Sequence, residues 1–466
     1  MELTRQTKQI IFWVLVSSCI LCSAIQTALN TALPPILAEM NIAAQTAQWL
    51  VSAYSLVMGI MVLATAYLIK RFPCRQLYIS SMALFCGGLF FAAASTSFWV
   101  LLLGRVMQAL GCGVLMSLAQ VVVFSVFTPE ERGGKMGIYG LAVCAAPALA
   151  PTISGIVIDL AGWRMIFWGT LVLGLGLLAV GLATVKNVTP NQEVCFDLFS
   201  MATCALGFVG IVLGLGNIGN GQLLNLQVLL PLVIGATALL AFIYRQNKLR
   251  LPFLNLKIFR NREFRLAVIA SMLLYCGMIA VSTLLPLYNQ SIRGFPATVS
   301  GLITMPGSLL TAIVSPVAGK LYGKIGIRRL YFVGGTLVTV GHLLLCILQA
   351  DTPVVLVAAW FCIRQLGIGM LMMTTVTWGM STLAKEDTSD GTAIISSLRT
   401  ISGAVGSAVF VSIYSFAGGA QTQAMLRGFQ IALAGITMLS AVLLVLALCK
   451  IGITGSNRSC HSLKNM

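Results

Sequence analysis

The sequence is poor in charge. Asp, Glu, Lys and Arg together make up 9% of its 466 residues, where soluble domains carry about a quarter. So little charge cannot cover a water-facing surface, which excludes an ordinary soluble domain. Carboxylates are the scarcest part, with 12 Asp and Glu against 29 Lys and Arg. None of the acidic residues falls securely inside a long apolar run. Histidine occurs only at His342 and His461, which gives no support for haem or a His-based metal centre. No GxxxxGK[ST] loop is present, which argues against nucleotide hydrolysis by this chain. Nor is there a carboxylate pair, a nucleophile–base arrangement or a ligand cluster. An enzyme is therefore not expected, and neither is a cofactor or a metal.

Cysteine is not scarce, at 13, but it is scattered through apolar stretches. Cys19 and Cys22 form a CxxC on one helix face with no basic neighbour to activate either thiol. They read as small packing residues, not as part of a disulfide framework.

What the sequence has in quantity is apolar length. It is 58% hydrophobic, and about 20 apolar residues cross a bilayer as a helix. Fourteen such runs can be traced, the first at 10–33 and the last at 428–449. Arg5 and Lys8 precede the first run, which exceeds the roughly 7–15 residues of a signal-peptide core. It is expected to be a first membrane helix entered from inside, with no cleaved leader. Threading the runs alternately places Lys70, Arg71 and Arg75, then Arg132 and Lys135, on one side. The basic stretch 244–265, the group Lys320, Lys324, Arg328 and Arg329, and the tail from Lys450 fall on that side too. This is the positive-inside pattern. It predicts both termini on the cytoplasmic side of the inner cell membrane. The net charge of +17 is then assigned to anionic membrane lipid, not to nucleic acid.

The runs also repeat. "AYLIKRFPCRQLY" (66–78) and "GKLYGKIGIRRLY" (319–331) are basic turns at corresponding places. "RVMQALGCG" (105–113) is echoed by "FCIRQLGIG" (361–369), with Gly111 and Gly113 matching Gly367 and Gly369, and Gln108 matching Arg364. Duplication of a six-helix unit is a signature of secondary transporters, with a site between the units near the midplane. The expected fold class is an all-α polytopic membrane protein of fourteen transmembrane helices. It comprises two pseudo-symmetric six-helix halves (1–190 and 251–449), two intervening helices (191–250) and a cytoplasmic tail (450–466).

In order and spacing, these pieces resemble the major facilitator superfamily, and within it the fourteen-spanner drug/proton antiporters of multidrug-efflux type. The likeness covers nearly the whole chain. It rests on "IQTALNTALP" (25–34), "QWLVSAYSL" (48–56), the Arg105–Gln108–Gly111–Gly113 motif, "APALAPTISG" (146–155), "GWRMIFW" (162–168) and "SSLRTISGAVGSA" (396–408). The resemblance implies a secondary active transporter that exports amphiphilic small molecules or drugs by alternating access, coupled to proton influx. The alternative is an uncoupled or differently coupled exporter of a specific neutral or anionic metabolite, lipid or antibiotic. A monomer in membrane lipid is expected. The sequence departs from the family where the acid of the first helix falls on Ile25. The acid and glycine of the first internal turn become Lys70 and Pro73, and the acid of the second becomes Gly323.

Site expectations follow. Gln26 and Asn30 share a helix face, with Thr27 beside them, and that face should point away from lipid into a central cavity. Pro34-Pro35 should end the helix. Arg105, Gln108 and Arg364 lie inside spans, where charge is costly and lines cavities or finds partners. Met370 and Met373, with their flexible thioethers, suit a promiscuous wall. Pro147, Pro151 and Gly155 interrupt a helical ladder and mark a conformational switch. Asp159 and His342 are the possible proton carriers. Arg399 should sit near the cytoplasmic end of its helix and reach back to the interface. Two arginines without an intramembrane carboxylate make a neutral or positive cavity, favouring neutral or anionic amphiphiles over dications.

Overall fold

The computed structural model describes residues 4–188, 197–220, 225–249, 254–384, 387–419 and 421–450, and among these there is no strand. The expected tail and His461 lie outside the described residues. The long helices are α1 (Arg5–Met40), α2 (Trp49–Arg71), α3 (Cys74–Ala93), α4 (Phe98–Val126), α5 (Pro129–Ala161) and α6 (Arg164–Thr184). They continue with α7 (Leu198–Gly216), α8 (Leu226–Lys248), α9 (Arg262–Leu287), α10 (Ala297–Cys346), α11 (Val354–Ser381), α12 (Thr388–Ala417) and α13 (Thr422–Lys450). Some of their starts carry side chains that satisfy orphan N–H groups. Thr4 caps α1, Thr128 and Glu131 form a capping box on α5, and Asn261 caps α9.

Twelve described segments are long and apolar enough to cross a bilayer. One of them, the 50-residue α10, is broken at Gly326, whose φ of 74° and ψ of 167° no side-chain-bearing residue adopts readily. Its two arms run in opposite directions along α11. In the outgoing arm, Gly307 lies against Phe361 and Gln365, and Ser315 further on bonds the Gly369 carbonyl at 3.0 Å. In the return arm, Tyr331 meets Thr375 and the earlier part of α11 is reached only later, where Gly341 lies against Arg364. A single element thus supplies two antiparallel passes.

The first helix corrects one expectation. It runs through Pro34 and Pro35 to Met40 and stops at Asn41, which turns left-handed with φ 49°. Proline removes one N–H, so the helix survives where something else satisfies the carbonyl four residues back. For Pro35 that carbonyl is Thr31, and it accepts from Gln290 Nε2 at 3.0 Å.

The packing is that of a protein solvated by lipid. Only 22% of the most apolar window of α6, and likewise of α8, is buried against protein. Leu160, Val172 and Leu226 stand outward. Close helix contacts use glycine: Gly207, Gly210 and Gly235 let α7 and α8 meet backbone to backbone. This pair sits at the side of the bundle. Val212 packs with Leu56 of α2 and Ile401 of α12, and the Gly216 carbonyl accepts from Ser412 Oγ at 2.7 Å and Gln45 Nε2 at 2.9 Å.

Candidate functional site

A cavity of about 610 Å³ lies in the middle of the bundle and draws its wall from α1, α2, α4 and α5 on one side and α9 to α12 on the other. From α1 come Ser23, Gln26, Thr27, Asn30 and Thr31, while Cys22, Ile25 and Leu29 on the opposite face enter the apolar core. The period of 3.6 residues thus separates wall from core along one helix. The wall of α10 is a hydroxyl stripe, Ser300, Thr304, Ser308, Thr311 and Ser315, at steps of three and four. Most of these hydroxyls are tied to helix carbonyls; Thr311 Oγ1, for example, donates to the Gln365 carbonyl at 3.0 Å. Apolar wall comes from Met58, Met116, Met278, Phe124 and Phe361. The surface is therefore mixed, with soft side chains that adapt to shape and fixed polar groups that orient.

One end of the cavity is sealed by bonds between the two sets of helices. Asn30 Nδ2 donates to Ser282 Oγ at 2.8 Å, and Gln290 Nε2 to the Thr31 carbonyl at 3.0 Å. Beyond them α5 and α10 touch through backbone: a Cβ on Gly155 would lie 2.5 Å from the Ala297 oxygen, and one on Gly301 2.5 Å from the Pro151 oxygen. Thr152 Oγ1 donates to the Gly301 carbonyl at 3.0 Å. Towards the other end, where α1 starts, the lining continues to Ile69, Phe124 and Thr392.

The residues singled out from sequence divide into two groups. Gln26, Thr27, Asn30, Arg364, Met373, Pro147 and Pro151 line the cavity. Gly155 lies in the sealing contact. Arg105 and Gln108 do not line the cavity, which corrects their expected placement. They are fully buried in a clamp that holds α4 to α2 and α3. Arg105 donates from Nε to the Leu50 carbonyl at 3.3 Å and from Nη1 to Gln108 Oε1 at 2.7 Å, and its guanidinium lies 4.1 Å from the Tyr54 ring centre. Gln108 Nε2 donates to the Gly88 carbonyl at 3.0 Å. The Leu50 carbonyl, the Gln108 side chain and the Tyr54 ring hold this buried cation without any acid, and its Nη2 has no hydrogen-bond partner among the described residues. Met370 is also absent from the wall, where Met372 takes its place beside Met373.

Neither expected proton carrier lines the cavity. Asp159 sits at the sealed end, where its carboxylate accepts from the backbone N–H groups of Ala297 at 3.1 Å and Thr298 at 2.7 Å. It thereby caps the first turn of α10 from across the bundle. His342 is buried behind Arg364, and its Nε2 accepts from Arg364 Nε at 2.9 Å. An accepting nitrogen carries no proton in this arrangement.

Sequence reasoning missed Arg399 and the hydroxyl stripe. The stripe's spacing was visible between 300 and 315. Arg399 is expected near the cytoplasmic end of its helix, reaching back to the interface; it lies about 16 Å of rise after the start of α12 at Thr388 and faces the cavity. Among the described lining residues there are two arginines and no Asp, Glu, Lys or His.

The sequence profile of the Major Facilitator Superfamily matches residues 15–407. The chain is 38% identical over 392 residues to the lincomycin resistance protein LmrB of Bacillus subtilis (strain 168), covering 83% of this chain and 81% of that one. It is 27% identical over 391 residues to the riboflavin transporter RibZ of Clostridioides difficile (strain 630), covering 83% and 84%. The fold is similar to that of a peptide transporter POT crystallised with sulfate, with a TM-score of 0.70 at 17% identity, covering 95% of this chain and 94% of that one.

Proposed function

The chain belongs to the Major Facilitator Superfamily, and from that premise we propose that it exports small amphiphilic molecules across a cell membrane by alternating access. The observation that carries this reading is the central cavity, walled by both sets of helices and sealed at one end by bonds that reach from one set to the other. Those bonds are few, and a rocking of α1 and α5 against α9 and α10 breaks them together. The mixed wall of thioethers, rings, hydroxyls and amides suits compounds with an apolar body and several heteroatoms. The relatives named for lincomycin resistance and for riboflavin transport are in keeping with such compounds.

The wider frame is part of the proposal. It has fourteen spans, counting the two arms of α10 and all of α5, with both termini cytoplasmic. There are two six-helix halves, 1–190 and 251–449, with α7 and α8 as a peripheral pair on the seam between them, and the protein works as a monomer in lipid. The cavity in this conformer then opens to the cytoplasm.

Coupling to proton influx is the expectation from family resemblance. A second reading, export that is uncoupled or coupled otherwise, is favoured by one observation: the described cavity wall holds no carboxylate or imidazole to take up a proton. The test is uptake of a neutral fluorescent amphiphile into inverted membrane vesicles, with and without an imposed pH gradient. Saturable uptake that depends on the protein is expected, and its absence overturns the export reading. Uptake that collapses when the gradient is dissipated returns the protein to proton coupling.

A further inference from the structure

Two guanidinium groups meet on one turn of α9. Arg364, from α11, donates from Nη2 to the carbonyls of Gly277 and Met278, each at 3.2 Å. Arg399, from α12, lies with its guanidinium carbon 5.3 Å from the ring centre of Tyr275. Tyr275 and Met278 are separated by about 4.5 Å of helix rise. All four residues line the cavity.

The two cations differ in how far they are satisfied. Arg364 is bonded at every nitrogen, with Nε on His342, Nη1 on Gln365 Oε1 at 2.9 Å and Nη2 on the two carbonyls. Its position is fixed, but its charge meets only dipoles. Arg399 has the Tyr275 ring for company, and its Nε is buried without a hydrogen-bond acceptor among the described residues. Its surroundings are rigid. Ser402 Oγ, nearly a turn further along α12, donates to the Met272 carbonyl of α9 at 2.9 Å, and a Cβ on Gly403 would meet the Tyr275 ring at 2.9 Å. α12 is thus pinned to α9 one turn beyond the arginine, and no acid approaches from the cavity wall.

The geometry points to an anion subsite at Arg399, in which the guanidinium hydrogen-bonds the carboxylate, sulfonate or phosphate of an amphiphilic substrate while the fixed charge of Arg364 lowers the energy of the same group. Two cations in a cleft with low-dielectric walls attract an anion more strongly than they would at an open surface. The fork of donors on Arg399 matches two oxygens of one anionic group. The apolar body of the ligand then rests on Phe361, Met372 and Met373. This inference rests on the export reading and narrows it to anionic amphiphiles.

The test uses a matched pair of probes, 8-anilinonaphthalene-1-sulfonate and its uncharged parent N-phenyl-1-naphthylamine. Binding is measured by equilibrium dialysis to the full chain in zwitterionic-lipid nanodiscs, against empty discs. The native protein should bind the sulfonate at least about tenfold more tightly than the parent, which has no anionic group for the guanidinium to bond. Arg399→Gln should abolish that preference while leaving binding of the parent unchanged, and Arg399→Lys should restore part of it. The subsite is overturned if the native protein shows no preference for the sulfonate, a result that does not depend on any variant folding. It is also overturned if Arg399→Gln weakens both probes equally, since that is what a purely structural arginine would do. Binding of the parent without preference leaves export intact and removes only the subsite, whereas failure to bind either probe removes both.

Discussion

Gln290 donates its side-chain N–H to the carbonyl of Thr31, 3.0 Å away, and that carbonyl is the one Pro35 leaves without its helical partner. The proline pair at the end of α1 therefore does not terminate the helix. It frees an acceptor at the sealed end of the cavity, and the opposite set of helices supplies the donor. A bond that holds a kinked helix together thus also holds the cavity shut.

Gln290→Leu should loosen that seal. The loss of one buried hydrogen bond is worth about 1 kcal/mol, enough to shift a two-state population about fivefold. With a cysteine placed at Ser282, labelling by a membrane-impermeant thiol reagent from the sealed side should rise by that factor. Unchanged labelling means the seal is held elsewhere.

Gly155→Ala acts on the same end by bulk. Its Cβ would fall 2.5 Å from the Ala297 oxygen, so α5 and α10 must separate. Overpacking of this kind costs about 1–3 kcal/mol. Because the strain is confined to the sealed conformer, transport should fall while thermal stability in detergent drops only modestly. Equal loss at Gly169, where a Cβ would meet nothing within 4 Å, would show that glycine matters for reasons other than the contact.

Arg105→Lys should harm stability without altering which compounds are carried. Lysine cannot reproduce the bonds to Leu50 and Gln108 together with the stacking on Tyr54. The loss of one charge-assisted bond alone removes about 1.5–3 kcal/mol. Unfolding followed by cysteine reactivity of the buried core measures the first effect. A change in the ranking of anionic and neutral substrates would place Arg105 in the site after all.

The seam pair carries a pH-dependent tie between the residue that precedes α7 and the last turn of α8. Asp197, just before α7, accepts from Arg245 Nη2 at 2.9 Å and caps Ser200 N at 3.1 Å. Hydrogen bonding from Arg245 first, and from Ser200 after it, holds the Asp197 carboxyl at about 2 against an unperturbed 3.8. A depressed carboxyl contributes stability above its unperturbed value and loses it as the pH falls through the folded one. The difference in unfolding temperature between the native protein and Asp197→Asn should be constant above pH 4, shrink below it and vanish below pH 2. The pair is partly exposed, so screening by solvent keeps the difference small. A difference that persists unchanged below pH 2 would assign the tie to packing instead of charge.

The apolar runs, the basic turns and the motif order were all legible in the sequence, because lipid imposes length and sidedness on every helix independently of its neighbours. The polar face of α1 was legible for the same reason: Gln26, Thr27 and Asn30 share a face that lipid rejects. The facing of Arg105 was not legible. An arginine mid-helix must turn inward, but inward is either towards a cavity or towards a neighbouring helix, and only the Leu50 carbonyl and the Tyr54 ring settle which. That Arg399 faces the cavity was not legible either, because which side of α12 meets the cavity is settled by its packing on α9 through Ser402 and Gly403.

By itself, then, the sequence determined that the chain crosses a membrane many times and the family whose motifs it carries. These follow from local composition and short spacings, which act within one helix or one turn. The tertiary structure decided which polar residues share the cavity, that Asp159 caps α10 and His342 backs Arg364 while neither lines it, and that two arginines from separate helices converge on one turn of α9. Those are relations between residues on different helices, fixed by how closely the glycine-bearing helix faces approach one another.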